Sequence, residues 1–168
     1  MSEISDAIQA KCLAFSDRII KLNDFLLEQA SQKYDAGRQK YGMRKGKSAF
    51  SNQTSDLSQT SYLSHQPSRV PVHLQSVAAL ANQLLRSGTS IGANNAEATN
   101  AVSKTDYRAK SFIALKEARE SLYWIELLHR NNYIDDKQYQ SIYTDCEELV
   151  KILVTRCKKV DQQISEGK

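Results

Sequence analysis

Residues 83–97 read Gln83-Leu-Leu-Arg-Ser-Gly-Thr-Ser-Ile-Gly-Ala-Asn-Asn-Ala-Glu97, and this stretch decides the fold. Gly88 and Gly92 stand four residues apart, hence on one side of a helix. A glycine inside a helix costs on the order of 1 kcal/mol against alanine. Close approach of a neighbouring helix offsets that cost, so the pair marks helix packing in a tight bundle. The stretch also contains Gly88-Thr89-Ser90-Ile91-Gly92, a match to G-x-S-x-G, with Asp106 and His129 following in hydrolase order. A nucleophile elbow needs a strand ahead of its serine. Val77 to Leu85 has helical spacing instead, and the hydrolase reading falls.

The helical rhythm continues on both sides. From about Ser5 to about Lys33, Ile8, Cys12, Phe15, Ile19, Leu22 and Leu26 recur at steps of three and four, the mark of one buried stripe. A second helix opens near Pro71, a residue suited to a first turn. It carries Leu74, Val77, Ala81, Leu84, Gly88 and Ile91 and ends between Asn95 and Asn100. Ser103-Lys-Thr-Asp106 has the spacing of an N-terminal cap and starts a third helix that runs to about Arg130. Asn131-Asn132 supplies turn chemistry, and Asp135-Asp-Lys-Gln138 caps a fourth helix. That helix carries Ile142, Cys146, Leu149, Leu153, Val160 and Ile164. Four amphipathic helices with short second and third connections predict an all-α, up-down-up-down antiparallel four-helix bundle, a single domain over 1–168.

Residues 34–70 break this pattern. The first part is basic, with Arg38, Lys40, Arg44, Lys45 and Lys47. The second part is rich in Ser, Gln and Thr. Such a segment buries too little apolar surface to offset its ordering entropy, and a long flexible insertion between helices one and two is expected.

Composition narrows the function. The chain has 168 residues and a formal net charge of +4, mildly basic and compatible with a polyanionic partner. No apolar run approaches the roughly 20 residues that span a bilayer, so no membrane partner is expected. The first residues lack the basic and apolar regions of a secretory signal, which predicts a cytoplasmic location. Cys12, Cys146 and Cys157 fall at apolar helical positions and read as buried thiols in a reducing compartment.

Catalytic constellations are weak. Glu126-Leu-Leu-His129 is half of a di-iron site, which requires a second such pair. Helix four offers Glu147-Glu148 without a histidine at the required offset; His65 lies in the insertion and His73 at a helix start. There is no Walker loop and no Cys-x-x-Cys pair. A protein that binds, without metal or cofactor, is therefore expected rather than an enzyme.

Two surface features suggest what it binds. Helix three has one apolar side with Ala114, Ala118, Leu122 and Ile125 and another with Ile113, Trp124 and Leu127. A bundle helix needs one buried stripe, so the second predicts a subunit interface. Lys104, Arg108 and Arg119 share a side of the same helix, with Lys116 nearby; Arg86 lies on helix two, and Lys11, Arg18 and Lys21 on helix one. Such cations neutralise phosphates without reading sequence. Lys11, Arg18, Arg86, Lys104, Arg108, Lys116 and Arg119 are the candidate nucleic-acid-binding residues.

Several short motifs occur in order. They are Leu84-Leu-Arg-Ser-Gly-Thr-Ser-Ile-Gly-Ala-Asn94, Glu97-Ala98, Ser103-Lys-Thr-Asp-Tyr107, Ile113-Ala-Leu-Lys-Glu-Ala118 and Tyr123-Trp-Ile-Glu-Leu-Leu128. In these the chain resembles the bacterial four-helix-bundle proteins encoded in 23S ribosomal RNA intervening sequences. The accessory variability determinants of diversity-generating retroelements belong to the same superfamily. The resemblance implies a homopentameric, barrel-like assembly with a basic surface and no catalytic activity. The retroelement members imply further partners, a reverse transcriptase and nucleic acid. The 34–70 insertion departs from the family pattern, where a short turn is expected. Two functional expectations follow. One is an oligomeric scaffold for RNA, DNA or an RNA–DNA hybrid, its ring built on the helix two–three seam and the outer stripe. The other is a protein–protein interaction module without a nucleic-acid role.

Overall fold

A computed structural model describes residues 3–40 and 72–167, with side chains for 5–36 and 75–167. It contains four helices: α1 (Glu3–Lys40), α2 (Val72–Thr99), α3 (Lys104–Arg130) and α4 (Asp136–Ser165). Among the described residues there is no strand.

The helix ends follow from local chemistry. Ser103 caps α3, its hydroxyl accepting from the Asp106 amide at 3.1 Å, while the Asp106 carboxylate accepts from the Val102 amide at 3.2 Å. α3 ends where Asn132 turns left-handed, φ 58°, a conformation that asparagine tolerates. The Tyr133 amide then bonds to Leu128 O and the Asn132 amide to His129 O, at 3.0 and 2.9 Å. This pattern satisfies the last carbonyls of the helix. Asp135 and Gln138 form a reciprocal cap on α4, at 2.7 and 2.9 Å, as that spacing allows.

Cross-helix pairs fix direction and register. Ser5 meets Thr99 and Lys11 meets Glu148; Ser87 meets Ser121, and Arg108 meets Asp161. Ser5–Thr99, Arg108–Asp161 and Lys110–Glu97 each join the beginning of one helix to the end of its neighbour, and between α1 and α4 the partners run in opposite directions, Lys11 to Glu148 and Arg18 to Asp145. All four neighbouring helix pairs, α1–α2, α2–α3, α3–α4 and α1–α4, are thus antiparallel, and the bundle is up-down-up-down. The α1–α4 side is the most loosely packed.

The predicted stripes form the core. Cys12, Phe15, Ile19, Leu26, Val77, Ala81, Leu84, Ile91, Ala114, Ala118, Ile125, Leu149 and Leu153 are all buried. Each large side chain among them contributes about 1.5–3 kcal/mol by leaving water. Gly88 faces α1, where a Cβ would lie 2.9 Å from Ile19 Cγ1; at Gly92 it would lie 3.4 Å from Cys12 Cβ.

Two boundaries differ from the sequence expectation. α1 continues through Tyr34 to Lys40, a stretch read as the start of the insertion. Its residues, apart from Gly37, do not oppose helix, so the coil runs on after the apolar stripe ends. Ile164, expected in the core, is exposed, because α4 extends past the Arg108–Asp161 pair to where α3 begins. The rest of the insertion, 41–70, with Arg44, Lys45, Lys47 and His65, lies outside the described residues. So do Pro71 and the side chains of Arg38, Lys40, His73 and Leu74.

Candidate nucleic-acid interface

The seven candidate cations separate into two groups. Lys11 of α1 pairs with Glu148 of α4 at 2.8 Å. Arg18 pairs with Asp145 and donates to the Ser141 hydroxyl at 2.8 Å. Arg108 pairs with Asp161 and stacks on Phe112, 4.8 Å from the ring centre. These three tie α4 to its neighbours across half-exposed seams. Arg86, Lys104, Lys116 and Arg119 are exposed and make no ion pair with any described residue. Three of these four lie on α3. Within it, burial and the neighbouring Glu120 raise the Glu117 carboxyl above its ordinary range, with Arg86 opposing. Lys21 is exposed on α1.

The second stripe of α3 is half open. Ile113 is 37% exposed and Tyr123 58%. Trp124 is half-buried, donates to Glu120 Oε1 at 3.0 Å and meets Tyr123 edge to face at 4.9 Å. Leu127 is half-buried as well. The α2–α3 seam is closed within the chain, by the Ser87–Ser121 hydroxyl pair and the Lys110–Glu97 ion pair.

The other motifs resolve into local structure. Ser90 sits inside α2, its carbonyl accepting from Asn94 at 2.9 Å. Glu126 pairs with Arg130 at 2.7 Å. His129 bonds to Asp136 at 2.7 Å and stacks on Tyr139 at 4.2 Å. The two members of the half-motif thus turn to different partners, and no group of three metal-ligating side chains occurs among the described residues. Burial pushes the Cys12 thiol up to about 11 and the Cys146 thiol to about 12. No described helix is long and apolar enough to cross a membrane.

Sequence reasoning passed over a second basic cluster. Lys151, Arg156, Lys158 and Lys159 lie on α4, inside the run 149–160, which contains no Asp or Glu. That absence was the available signal. Arg156 reaches inward, donates to the Oδ1 of fully buried Asn95 on α2 and lies 5.7 Å over the Tyr107 ring of α3. Asn95 in turn donates to Gln9 of α1. One chain of side chains therefore links all four helices at this end of the bundle.

The family model described as 23S rRNA-intervening sequence protein matches residues 69–155. The chain is also similar to a crystal structure of a protein of unknown function from the S23 ribosomal protein family of Bacteroides thetaiotaomicron. The two are 32% identical with a TM-score of 0.60, over 92% of this chain and 97% of that one. None of the curated proteins compared with the chain matches it. With α2, α3 and the first part of α4 inside the matched region, the bundle belongs to the 23S rRNA-intervening sequence protein family.

Proposed function

We propose that this protein is a non-catalytic, oligomeric scaffold that holds nucleic acid by its phosphates. The observation that carries the reading is the placement of Lys104, Lys116 and Arg119 on the outer side of α3, exposed and without ion-pair partners among the described residues. Free cations on a rigid helix can neutralise successive phosphates, and a ring of subunits repeats the field. The open stripe of Ile113, Trp124 and Leu127 supports assembly of that ring, a pentamer by resemblance. The accessory variability determinants add a reverse transcriptase as a partner for the same assembly.

A test is fluorescence anisotropy with a labelled single-stranded RNA and the Lys116→Glu/Arg119→Glu double variant. The expected result is a loss of more than about tenfold in affinity, since each lost phosphate contact and each new repulsion acts in the same direction. Unchanged affinity in a folded variant overturns the reading.

The exposed Tyr123 beside Trp124 favours a second reading, a protein–protein interaction module. Exposed aromatic pairs are enriched at such interfaces. In that case the double variant binds RNA no worse than the parent, and neither binds it tightly.

A further inference from the structure

A cavity of about 660 Å³ opens between α1 and α4 at the end of the bundle where Arg156 lies. That is the size range of small-molecule sites. Its wall includes Ile8 and Ile152, with Tyr107 from α3. Its charged residues among those described are Lys151, Arg156 and Lys159, and no described carboxylate lines it. Lys151 also reaches Glu147, at 3.2 Å, on the outer side of α4. Arg156 and Lys159 make no ion pair with a described residue.

Arg156 is the unusual member. A half-buried guanidinium normally finds a carboxylate, because burying a charge without a counter-charge is costly. Here its fixed partners are the neutral Asn95 amide oxygen and the face of Tyr107. Asn95 is itself fully buried and anchored by Gln9. Polar side chains from α1 and α2 thus hold one cation in place, which is the support a binding group requires. The fork left over on the guanidinium suits a phosphate's oxygens, and two lysines add point charge.

We infer that this cavity binds a phosphate monoester carried on a nucleotide-sized body, with Arg156 holding the phosphate and Ile8 and Ile152 packing the body. A phosphate monoester carries about −1.5 to −2 charge at pH 7, matched to the two unpaired cations Arg156 and Lys159 better than a single carboxylate is. The inference is independent of the α3 surface. Free nucleotides and phosphorylated strand ends both present this group.

Isothermal titration calorimetry on the whole chain tests it with adenosine 5′-monophosphate and adenosine. The monophosphate is expected to bind and adenosine not to. Arg156→Gln and, separately, the rim variant Lys159→Glu are each expected to weaken the monophosphate at least tenfold. Lys159 is exposed, so its variant keeps the test valid if Arg156→Gln fails to fold. Competition by a 5′-phosphorylated oligoadenylate, but not by its 5′-hydroxyl form, would support the inference with the strand end as source. Competition by neither would support it with the free nucleotide as source. Equal binding of adenosine and its monophosphate, binding of neither, or unchanged monophosphate binding by a folded Lys159→Glu chain overturns it. None of these outcomes depends on whether the Lys116→Glu/Arg119→Glu variant loses RNA.

Discussion

Gly88 of α2 and Ile19 of α1 are packed so closely that a Cβ at residue 88 would lie 2.9 Å from Ile19 Cγ1 and 3.1 Å from Ile19 Cγ2. The neighbouring atoms belong to a β-branched side chain that is itself buried and stiff at its first torsion. At Gly92 the nearest atom, Cys12 Cβ, is 3.4 Å away, an ordinary separation.

The two glycines should therefore respond oppositely to alanine. At residue 92 the gain in helix propensity, on the order of 1 kcal/mol, dominates and the protein becomes more stable. At residue 88 overpacking of about 1–3 kcal/mol exceeds that gain, and stability falls. Urea unfolding of Gly88→Ala and Gly92→Ala measures both; equal shifts of the same sign would show that the close approach has no energetic weight.

Ser111 carries a buried hydroxyl with no hydrogen-bond partner among the described residues. An unsatisfied buried polar group costs about 1–3 kcal/mol, so Ser111→Ala should raise the melting temperature. A gain of about 1 kcal/mol corresponds to about 2–4 °C at this chain length. A fall on thermal melting would mean that the hydroxyl has a partner in solution.

Burial raises the thiols of Cys12 and Cys146, to about 11 and about 12, and Cys146 donates to Ala118 O at 3.3 Å. Above the ordinary thiol range, near 9, the unfolded chain releases these protons and the folded chain keeps them. Stability is thus fully present below pH 9 and declines as pH rises toward 11–12. Unfolding midpoints at pH 8 and pH 10 should show this decline, and Cys146→Ala should make it shallower. Rapid alkylation of all three cysteines in the native protein at pH 8 would contradict the burial.

Arg18 and Lys11 should behave differently from the α3 cations. Their partners Asp145 and Glu148 lie across a half-exposed seam, where an ion pair is worth about 0.2–1 kcal/mol. Arg18→Ala should lower stability by that small amount and leave RNA affinity within about twofold, a shift of roughly 0.4 kcal/mol. A large loss of RNA binding on Arg18→Ala would show that the seam opens to nucleic acid.

Ile113→Asp tests the open stripe on α3. Placing a charge on this half-exposed apolar surface should dissociate an oligomer built through it. Light scattering should then report a smaller species, with helical content retained. An unchanged mass would exclude Ile113 from the interface.

The fold was legible because local and long-range signals agree. The Ser103, Asn131-Asn132 and Asp135 ends are written in turn and cap chemistry, and the stripes between them have one period. The end of α1 was not legible, since Tyr34 to Lys40 extends the helix without an apolar stripe to mark it. The candidate site was legible only in part. A helical wheel shows one helix at a time, so it cannot reveal that Asp145, Glu148 and Asp161 on α4 take Arg18, Lys11 and Arg108. The Asn95–Arg156 link joins diagonal helices sixty-one residues apart, and nothing in the local sequence announces such a pairing.

The salt dependence of RNA binding measures the phosphate contacts of α3 most directly. With Lys104, Lys116 and Arg119 each neutralising one phosphate, the logarithm of the association constant should fall linearly with the logarithm of salt concentration. For a single strand the slope should be about −2 or steeper, at about −0.7 per contact. An association constant that stays level between about 50 and 200 mM salt, or no binding at the low end, would contradict these contacts.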